Sequence, residues 1–365
     1  MTTTFVVRKK NVLILVINPG STSTKLAVFR GGRCLFAESL FHTRAELAPF
    51  KRIADQYSFR KNMIQACLKQ KSYEAADFDA IAARGGLTKP IDGGVYAINE
   101  QMIADLNSAK WGEHPCNLAA PLAAELAGIG GCPAFILDPP IVDELWDIAR
   151  ISGYPDIPRI SKFHALSQKA AARHAAKALK VRYEAANFVV AHIGGGISVG
   201  AHHKGKVVDV NSALDGEGPF SPERAGSLPA GDLARLCFSG KFKLDEILRI
   251  ISRAGGLVAH LGTNDCREVE KRIVQGDKKA AIIYEAMAYQ IAKSIGAAAT
   301  VLSGKVNAVV LTGGLANSKK MVRLIKKYAA FIAPFKVYPK MEEMSALAAG
   351  ALAALNGAIK VKEYR

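Results

Sequence analysis

The sequence predicts an α/β protein of two lobes, each grown from one copy of a duplicated unit, and three observations carry the prediction. The first is the apolar run Val12-Leu13-Ile14-Leu15-Val16-Ile17, which enters Asn18-Pro19-Gly20-Ser21-Thr22-Ser23-Thr24-Lys25 and turns straight back into Leu26-Ala27-Val28-Phe29. The second is its echo: Phe188-Val189-Val190-Ala191 leads to His192-Ile193-Gly194-Gly195-Gly196 and back through Ile197 to His202, with Lys204-Gly205 standing where the first copy has Gly31-Gly32. Asn18 and His192 lie 174 positions apart in a chain of 365. The third is that length, which exceeds the roughly 250–300 residues at which single cores stop growing.

Both turns have the composition of a phosphate cradle. A polyphosphate needs several N–H donors at close range, glycine lets the backbone approach without a Cβ, and the hydroxyls of Ser21, Thr22, Ser23 and Thr24 can add donors. A third loop, Thr312-Gly313-Gly314-Leu315-Ala316-Asn317, follows the run Ala308-Val309-Val310-Leu311. None fits the Walker pattern, because a strand rather than a helix follows the glycines of each twin turn. Three such loops suggest a nucleotide held between two lobes.

The remaining elements follow in order. Residues up to about 40 read as three strands, and Lys61 to Gln70 as part of a helix before the strand Ala80-Ile81-Ala82-Ala83. Asn99 to Ala109 has the form of a capped helix, Asn117 to Ala127 has helical spacing, and Ala134-Phe135-Ile136-Leu137 is a short buried strand. The polar stretch Ser152 to Ser161 contains Pro155 and Pro158 and is the expected hinge. Beyond it come a helix from Ala165 to Leu179, the second hairpin, a long helix from Asp277 to Leu302, the strand 306–311 and a small-residue helix from Met344 to Leu355. The expected division is residues 1–155, with 344–365 packing back on them, and 156–343.

Half the residues are hydrophobic, which excludes a disordered chain. No apolar run reaches the roughly 18 residues of a membrane span. The N-terminus does not resemble a secretory signal, so a cytoplasmic protein with no membrane partner is expected. Six scattered cysteines without a CxxC pair indicate neither zinc nor disulfides, and are expected to be reduced and mostly buried. The net charge of +17 comes from 49 basic and 32 acidic residues. Its lysine pairs lack interleaved aromatics, so the surplus suits anionic substrates better than nucleic acid.

Ligands of open α/β sheets gather at the carboxyl ends of strands. Asn18, Arg84, Asp138 and His192 all directly follow apolar runs. Arg84, ahead of Gly85-Gly86, could grip a carboxylate or phosphate with its guanidinium fork. Asp138, before Pro139-Pro140, also suits a turn cap. His114, His164 and Arg224 stand in loops, and together these types meet the needs of phosphoryl transfer, where positive donors surround three equatorial oxygens.

Taken as motifs, these stretches resemble a known family. Val16 to Lys25 looks like the N-terminal signature of the acetate and butyrate kinases, whose superfamily includes sugar kinases, actin and the heat-shock chaperone ATPases. Arg84-Gly85-Gly86-Leu87, Asp138 to Gly153, Phe163-His164-Ala165-Leu166, Ala191 to Gly200, Asp215 to Arg224, Gly262-Thr263-Asn264-Asp265 and Tyr284 to Lys293 resemble the butyrate branch in particular. The likeness covers essentially the whole chain. It implies a duplicated ribonuclease-H-like fold with ATP in the cleft between an acyl-substrate lobe and a nucleotide lobe. The implied reaction is reversible phosphoryl transfer from ATP to butyrate or a related short or branched carboxylate.

The resemblance also implies roles. Arg84 and Arg224 would bind the carboxylate and the transferring phosphoryl, His164 would stabilise the transition state, and Asp138 matches an essential aspartate. His114 would contact the substrate, although this chain reads His114-Pro115-Cys116-Asn117 where acetate kinases have His-Asn-Pro. Asn18, Gly20, Ser21, Thr22, Ser23, Lys25, His192, Gly194, Gly195 and Gly196 would hold phosphates. Asp265, Arg267, Gly313, Gly314, Ala316 and Asn317 would face the nucleotide. Mg²⁺ would lie near Asn18 and either Glu342 or Glu343, and the protein would be a homodimer or larger homo-oligomer. Competing readings are acetate or propionate as the acceptor, and a catalytically silent ATP-binding regulator.

Overall fold

In the computed structural model of the chain, which describes residues 11–339 and 343–365, the uninterrupted apolar runs become central strands. The strands are β1 (Leu13–Pro19), β2 (Ser23–Arg30), β3 (Arg33–Phe41), β4 (Ala80–Arg84), β5 (Val95–Ala97), β6 (Ala134–Leu137), β7 (Asn187–Ile193), β8 (Ile197–His203), β9 (Lys206–Val210), β10 (Ala308–Thr312), β11 (Phe335–Tyr338) and β12 (Val361–Lys362). The helices that matter below are α1 (Tyr57–Gln70), α2 (Glu100–Ser108), α3 (Ala119–Gly130), α4 (Ala165–Ala178), α5 (Cys266–Val274), α6 (Lys278–Val301), α7 (Lys319–Ala329) and α8 (Glu343–Leu355). The chain divides into two compact units, one built from residues up to Val142 together with the C-terminal segment, the other from Asp143 onward.

Each unit has its own sheet, ordered β12-β5-β6-β4-β1-β2-β3 in the first and β11-β10-β7-β8-β9 in the second. The shared plan is a three-strand antiparallel meander whose first strand lies parallel to a later one: β1 pairs with β2 and with β4, and β7 with β8 and with β10. β1 is buried at all seven positions. Strands covered on both faces need no polar alternation, which is why the runs at 12–17 and 188–191 read as continuous apolar stretches.

In the first unit Ile64 and Leu68 of α1 and Leu122 and Leu126 of α3 pack with Leu15, Ile17 and Ile81 of the sheet. α8 lies against β1 and β4. A Cβ added at Gly350 would come within 2.7 Å of a Leu137 methyl, so the small-residue composition of that helix permits close approach to the sheet. In the second unit Tyr284, Met287, Ile291 and Ile295 of α6 cover one face of the sheet. Alanines of α4 cover Phe188, Val190 and Val310 on the other. Each large apolar side chain so buried contributes about 1.5–3 kcal/mol.

Helix ends follow side-chain capping. Asn99 accepts a hydrogen bond from the Met102 amide at 3.0 Å and Asp277 from the Ala280 amide at 2.9 Å, each filling an orphan donor of a first turn. α5, α7 and β11 add to the expected elements, as do three short helices between Ala230 and Leu261. Among the described residues no helix is long and apolar enough to cross a membrane. None of the six cysteines is in a disulfide among the described residues, but Cys34 on the edge strand β3 and Cys237 are exposed, so the thiols are less uniformly buried than expected.

The stretch from Ser152 to Ser161 lies inside the second unit, and the division falls earlier, at Val142 and Asp143. Long-range polar anchors account for this. The Trp146 amide donates to the Val208 carbonyl at 2.9 Å, and the Arg159 guanidinium reaches Asp209 at 3.0 Å and the Val210 carbonyl at 3.1 Å.

A third anchor is a buried ion pair. Lys169 on α4 donates to both carboxylate oxygens of Glu144, at 2.9 and 2.7 Å, with both side chains almost wholly excluded from solvent. Glu144 also accepts from the Val207 amide at 2.8 Å. Removing one partner strands a buried charge, so Glu144→Ala is expected to cost about 3–5 kcal/mol, read as a fall in the urea midpoint. A midpoint equal to that of the parent protein would show the pair contributes nothing.

Candidate active site

In the first unit the parallel pairing of β1 and β4 brings Asn18 and Arg84 to the same sheet edge. Glu343, first residue of α8, accepts through one oxygen from both: Arg84 Nη1 at 2.8 Å and Asn18 Nδ2 at 3.0 Å. Arg84 is therefore engaged with a carboxylate of its own chain, while its side chain stays about 25% exposed. Burial raises the Cys116 thiol to about 11 despite the opposing charge of Arg84. Glu342, the other candidate metal carboxylate, lies outside the described residues.

Asp138 sits deep in this unit, 1% exposed, at a left-handed φ of 38°. Its Oδ1 accepts from the Gly94 amide at 2.7 Å and its own amide donates to the Gly94 carbonyl at 3.0 Å. These contacts brace the turn after β6. His114 is exposed and local: its Nδ1 lies 2.9 Å from Cys116 Sγ and accepts from the Cys116 amide, capping the turn Pro115–Leu118.

The β1–β2 turn closes through the Gly20 amide on the Ser23 carbonyl at 2.7 Å. Ser21, Thr22 and Lys25 are exposed, and Ser23 is nearly covered. The Thr24 hydroxyl departs from expectation: it points inward to Arg60 Nη1 and His42 Nε2, both at 2.9 Å, because the strand alternation turns it from the loop face. Arg60, fully buried on α1, also donates to the Gly20 carbonyl at 3.0 Å, and burial lowers its pKa to about 10. It ties the turn from behind. Nothing in the local sequence singled it out.

In the second unit the β7–β8 turn closes through the Gly194 amide on the Gly196 carbonyl at 3.1 Å, and the Ser221 hydroxyl donates to the Gly195 carbonyl at 2.5 Å. A Cβ at Gly196 would overlap the Arg224 guanidinium, so glycine is what admits that side chain. Arg224 donates to the Ala213 carbonyl through Nη1, while its buried Nε has no partner among the described residues. Burial lowers its pKa against the pull of Glu223 and Asp215. His164, immediately ahead of α4, stacks on His192 with ring centroids 3.9 Å apart and planes 10° apart.

Gly194, Gly195, Gly314 and Asn317 line a pocket of about 650 Å³ with Asp265 and Arg267. Gly313 has φ 91°, and a Cβ there would press into Ile193, which draws the third glycine loop against the second. Ala316 is buried in the short turn Gly314–Asn317. Asp265 caps α5 and binds Arg267 through two oxygens at 3.0 and 2.9 Å, which holds its carboxyl at about 2. Sequence reasoning missed Glu270, also in the lining, whose Oε1 accepts from the hydroxyls of Tyr284 at 2.6 Å and Ser318 at 2.5 Å. Its only signal was a carboxylate within an amphipathic helix.

The arrangement offers two sets of groups. The second unit supplies a nucleotide-sized pocket with arginine and histidine at a glycine turn, and the first supplies an arginine, an amide and a carboxylate at a strand end. Comparison with known proteins shows the family and the fold. The pattern of the Acetokinase family matches residues 157–349. The chain is 51% identical over 352 residues to Butyrate kinase 2 of Clostridium acetobutylicum, covering 96% of this chain and 99% of that one. It is 52% identical over 353 residues to a probable butyrate kinase of Bacteroides thetaiotaomicron, with the same coverages. The crystal structure of Porphyromonas gingivalis acetate kinase shares the fold, with a TM-score of 0.77 at 20% identity over 94% of this chain and 99% of that one.

Proposed function

This chain belongs to the acetokinase family, and on that premise we propose that it catalyses reversible transfer of the γ-phosphoryl group of ATP to butyrate, giving butyryl phosphate and ADP. The observation that carries the reading is the gathering at one glycine turn of Arg224, seated against Gly196, and of His192, on which His164 stacks, with Gly194 and Gly195 of the same turn lining a pocket of about 650 Å³.

The acceptor is ionised at pH 7, so its oxygen attacks phosphorus without a general base. The new O–P bond forms as the bond to the β-phosphate oxygen breaks, and charge leaves with ADP. What remains for the protein is placement and neutralisation. Arg84 holds the carboxylate, Arg224 and His164 donate to the equatorial oxygens, and the glycine turns supply backbone N–H groups. Asp138 serves by bracing its turn rather than by taking a proton.

Among the described residues no cluster of three His, Cys, Asp or Glu could hold a metal unaided. Mg²⁺ would be held on the protein side by Glu343, the carboxylate at this strand end, with Asn18 beside it. When bound, the ion neutralises charge on the phosphates. The protein acts as a cytoplasmic homo-oligomer.

Acyl phosphate trapped as the hydroxamate, with MgATP and acids from acetate to valerate, is expected to form fastest from butyrate. One methylene is worth only about 1–3 kcal/mol, so neighbouring acids should react more slowly rather than not at all. A maximum at acetate or propionate reassigns the substrate. No product from any acid overturns the reading in favour of a silent ATP-binding protein.

A further inference from the structure

Behind His164 runs a chain of buried polar side chains that the reaction itself does not use. His164 Nδ1 lies 2.9 Å from the Ser198 hydroxyl, Gln168 Nε2 lies 2.7 Å from that hydroxyl, Gln168 Oε1 lies 3.0 Å from His202 Nε2, and His202 Nδ1 lies 2.8 Å from the Tyr183 hydroxyl. Ser198, Gln168 and His202 are fully excluded from solvent. Gln168 fits because β8 carries glycine at position 200, where a Cβ would come within 2.6 Å of its Oε1.

The chain has a direction, and one contact sets it. Gln168 Nε2 also lies 3.0 Å from the Ser198 carbonyl oxygen. A carbonyl can only accept, so the amide nitrogen faces Ser198 and the amide oxygen faces His202. His202 Nε2 therefore carries a proton. Burial, reinforced by Lys169 and Arg173, lowers the His202 pKa well below its usual value, so the ring is neutral and its Nδ1 accepts from Tyr183.

At the other end, the hydrogen-bond partners of Ser198 Oγ are Gln168 Nε2, the His164 amide and His164 Nδ1. The first two are donors. The serine proton thus has one acceptor among the described residues, His164 Nδ1.

We infer that Ser198 and Gln168 are positioning residues that fix the neutral His164 ring as its Nε2–H tautomer, so that Nε2 is the donor it offers to the phosphoryl group; this rests on the transfer reaction proposed above. Stacking on His192 holds the plane of the ring, and the serine hydrogen bond selects which nitrogen keeps the proton. An imidazole free to exchange tautomers would offer a lone pair to the phosphoryl oxygens part of the time, and two lone pairs repel.

The experiment is long-range ¹H–¹⁵N correlation on the full-length ¹⁵N-histidine-labelled protein, with His164 assigned by its loss in His164→Gln. The parent protein is expected to show a protonated Nε2 and a bare Nδ1. Ser198→Ala, which keeps the Gln168 bond to the backbone carbonyl, is expected to show mixed tautomers. Its kcat should fall by about 10- to 100-fold with KM for ATP little changed, the size of loss seen when a hydrogen bond that orients a metal-bound histidine is removed, and Ser198→Thr should recover most of that loss. A protonated Nδ1 in the parent protein overturns the inference, as does a folded Ser198→Ala protein with unchanged kcat. If no acid is phosphorylated yet the Nε2–H tautomer is seen, the transfer reading fails while the tautomer assignment is upheld.

Discussion

Arg84→Ala should lower kcat/KM for the acid by a factor on the order of 10²–10³, the equivalent of about 3–4 kcal/mol for truncating one member of a hydrogen-bonded charge pair. The side chain is projected from the last position of β4, and the backbone behind it has no room to move. A Cβ at Gly85 would come within 2.9 Å of the Pro139 backbone, and one at Gly86 within 2.8 Å of the Asn117 backbone. The guanidinium is therefore delivered by a rigid edge, and alanine removes the fork without disturbing what carries it.

The fold should survive the change. Glu343 keeps its bond from Asn18 at 3.0 Å, and the Arg84 side chain is partly exposed, so no charge is sealed in an apolar interior. Arg84→Lys restores the charge but not the two-pronged geometry and should recover only part of the loss. Initial rates across acid concentrations, together with a melting curve, make the test. If the alanine enzyme stays within about threefold of the parent value, Arg84 does not hold the acid.

Gly196→Ala is expected to reduce kcat by a similar 10²- to 10³-fold, the usual consequence of losing or misplacing one transition-state donor. The added methyl would meet the tip of the Arg224 side chain, not backbone. The tip can yield where a main chain cannot, so the protein should fold while the guanidinium is pushed from its seat on the Ala213 carbonyl. Gly314→Ala is the matched control. A Cβ there meets nothing within 4 Å, yet Gly314 lines the pocket. Its methyl should therefore intrude on bound nucleotide and raise KM for ATP with kcat largely kept. Equal effects of the two substitutions on kcat would mean that Arg224 is not what Gly196 protects.

Much of this was legible in one dimension. The runs at Val12–Ile17 and Phe188–Ala191 became strands of two sheets with the same order of meander and parallel neighbours, because burial on both faces demands uninterrupted apolar residues. Glycine turns, the caps at Asn99 and Asp277, and polar residues at strand ends were readable for the same reason: each is a local rule acting within a few positions. α5, α7 and the short helices after Ala230 were not marked out, and neither was the anchoring of the segment around Glu144 and Arg159 to the second unit.

By itself, then, the sequence determined the duplicated α/β plan, the kinds of group at the strand ends and the family. Tertiary structure alone decided which groups face one another. It turned Thr24 inward to Arg60, set Glu343 on Arg84 across 259 positions, seated Arg224 in the space of a missing Cβ, and linked His164 to Tyr183 through Ser198, Gln168 and His202. The physical reason is range. Backbone preference and hydrophobic pattern act between near neighbours and leave their mark in order along the chain, whereas a hydrogen bond between distant residues exists only once packing has brought donor and acceptor within about 3 Å and removed the water that would compete.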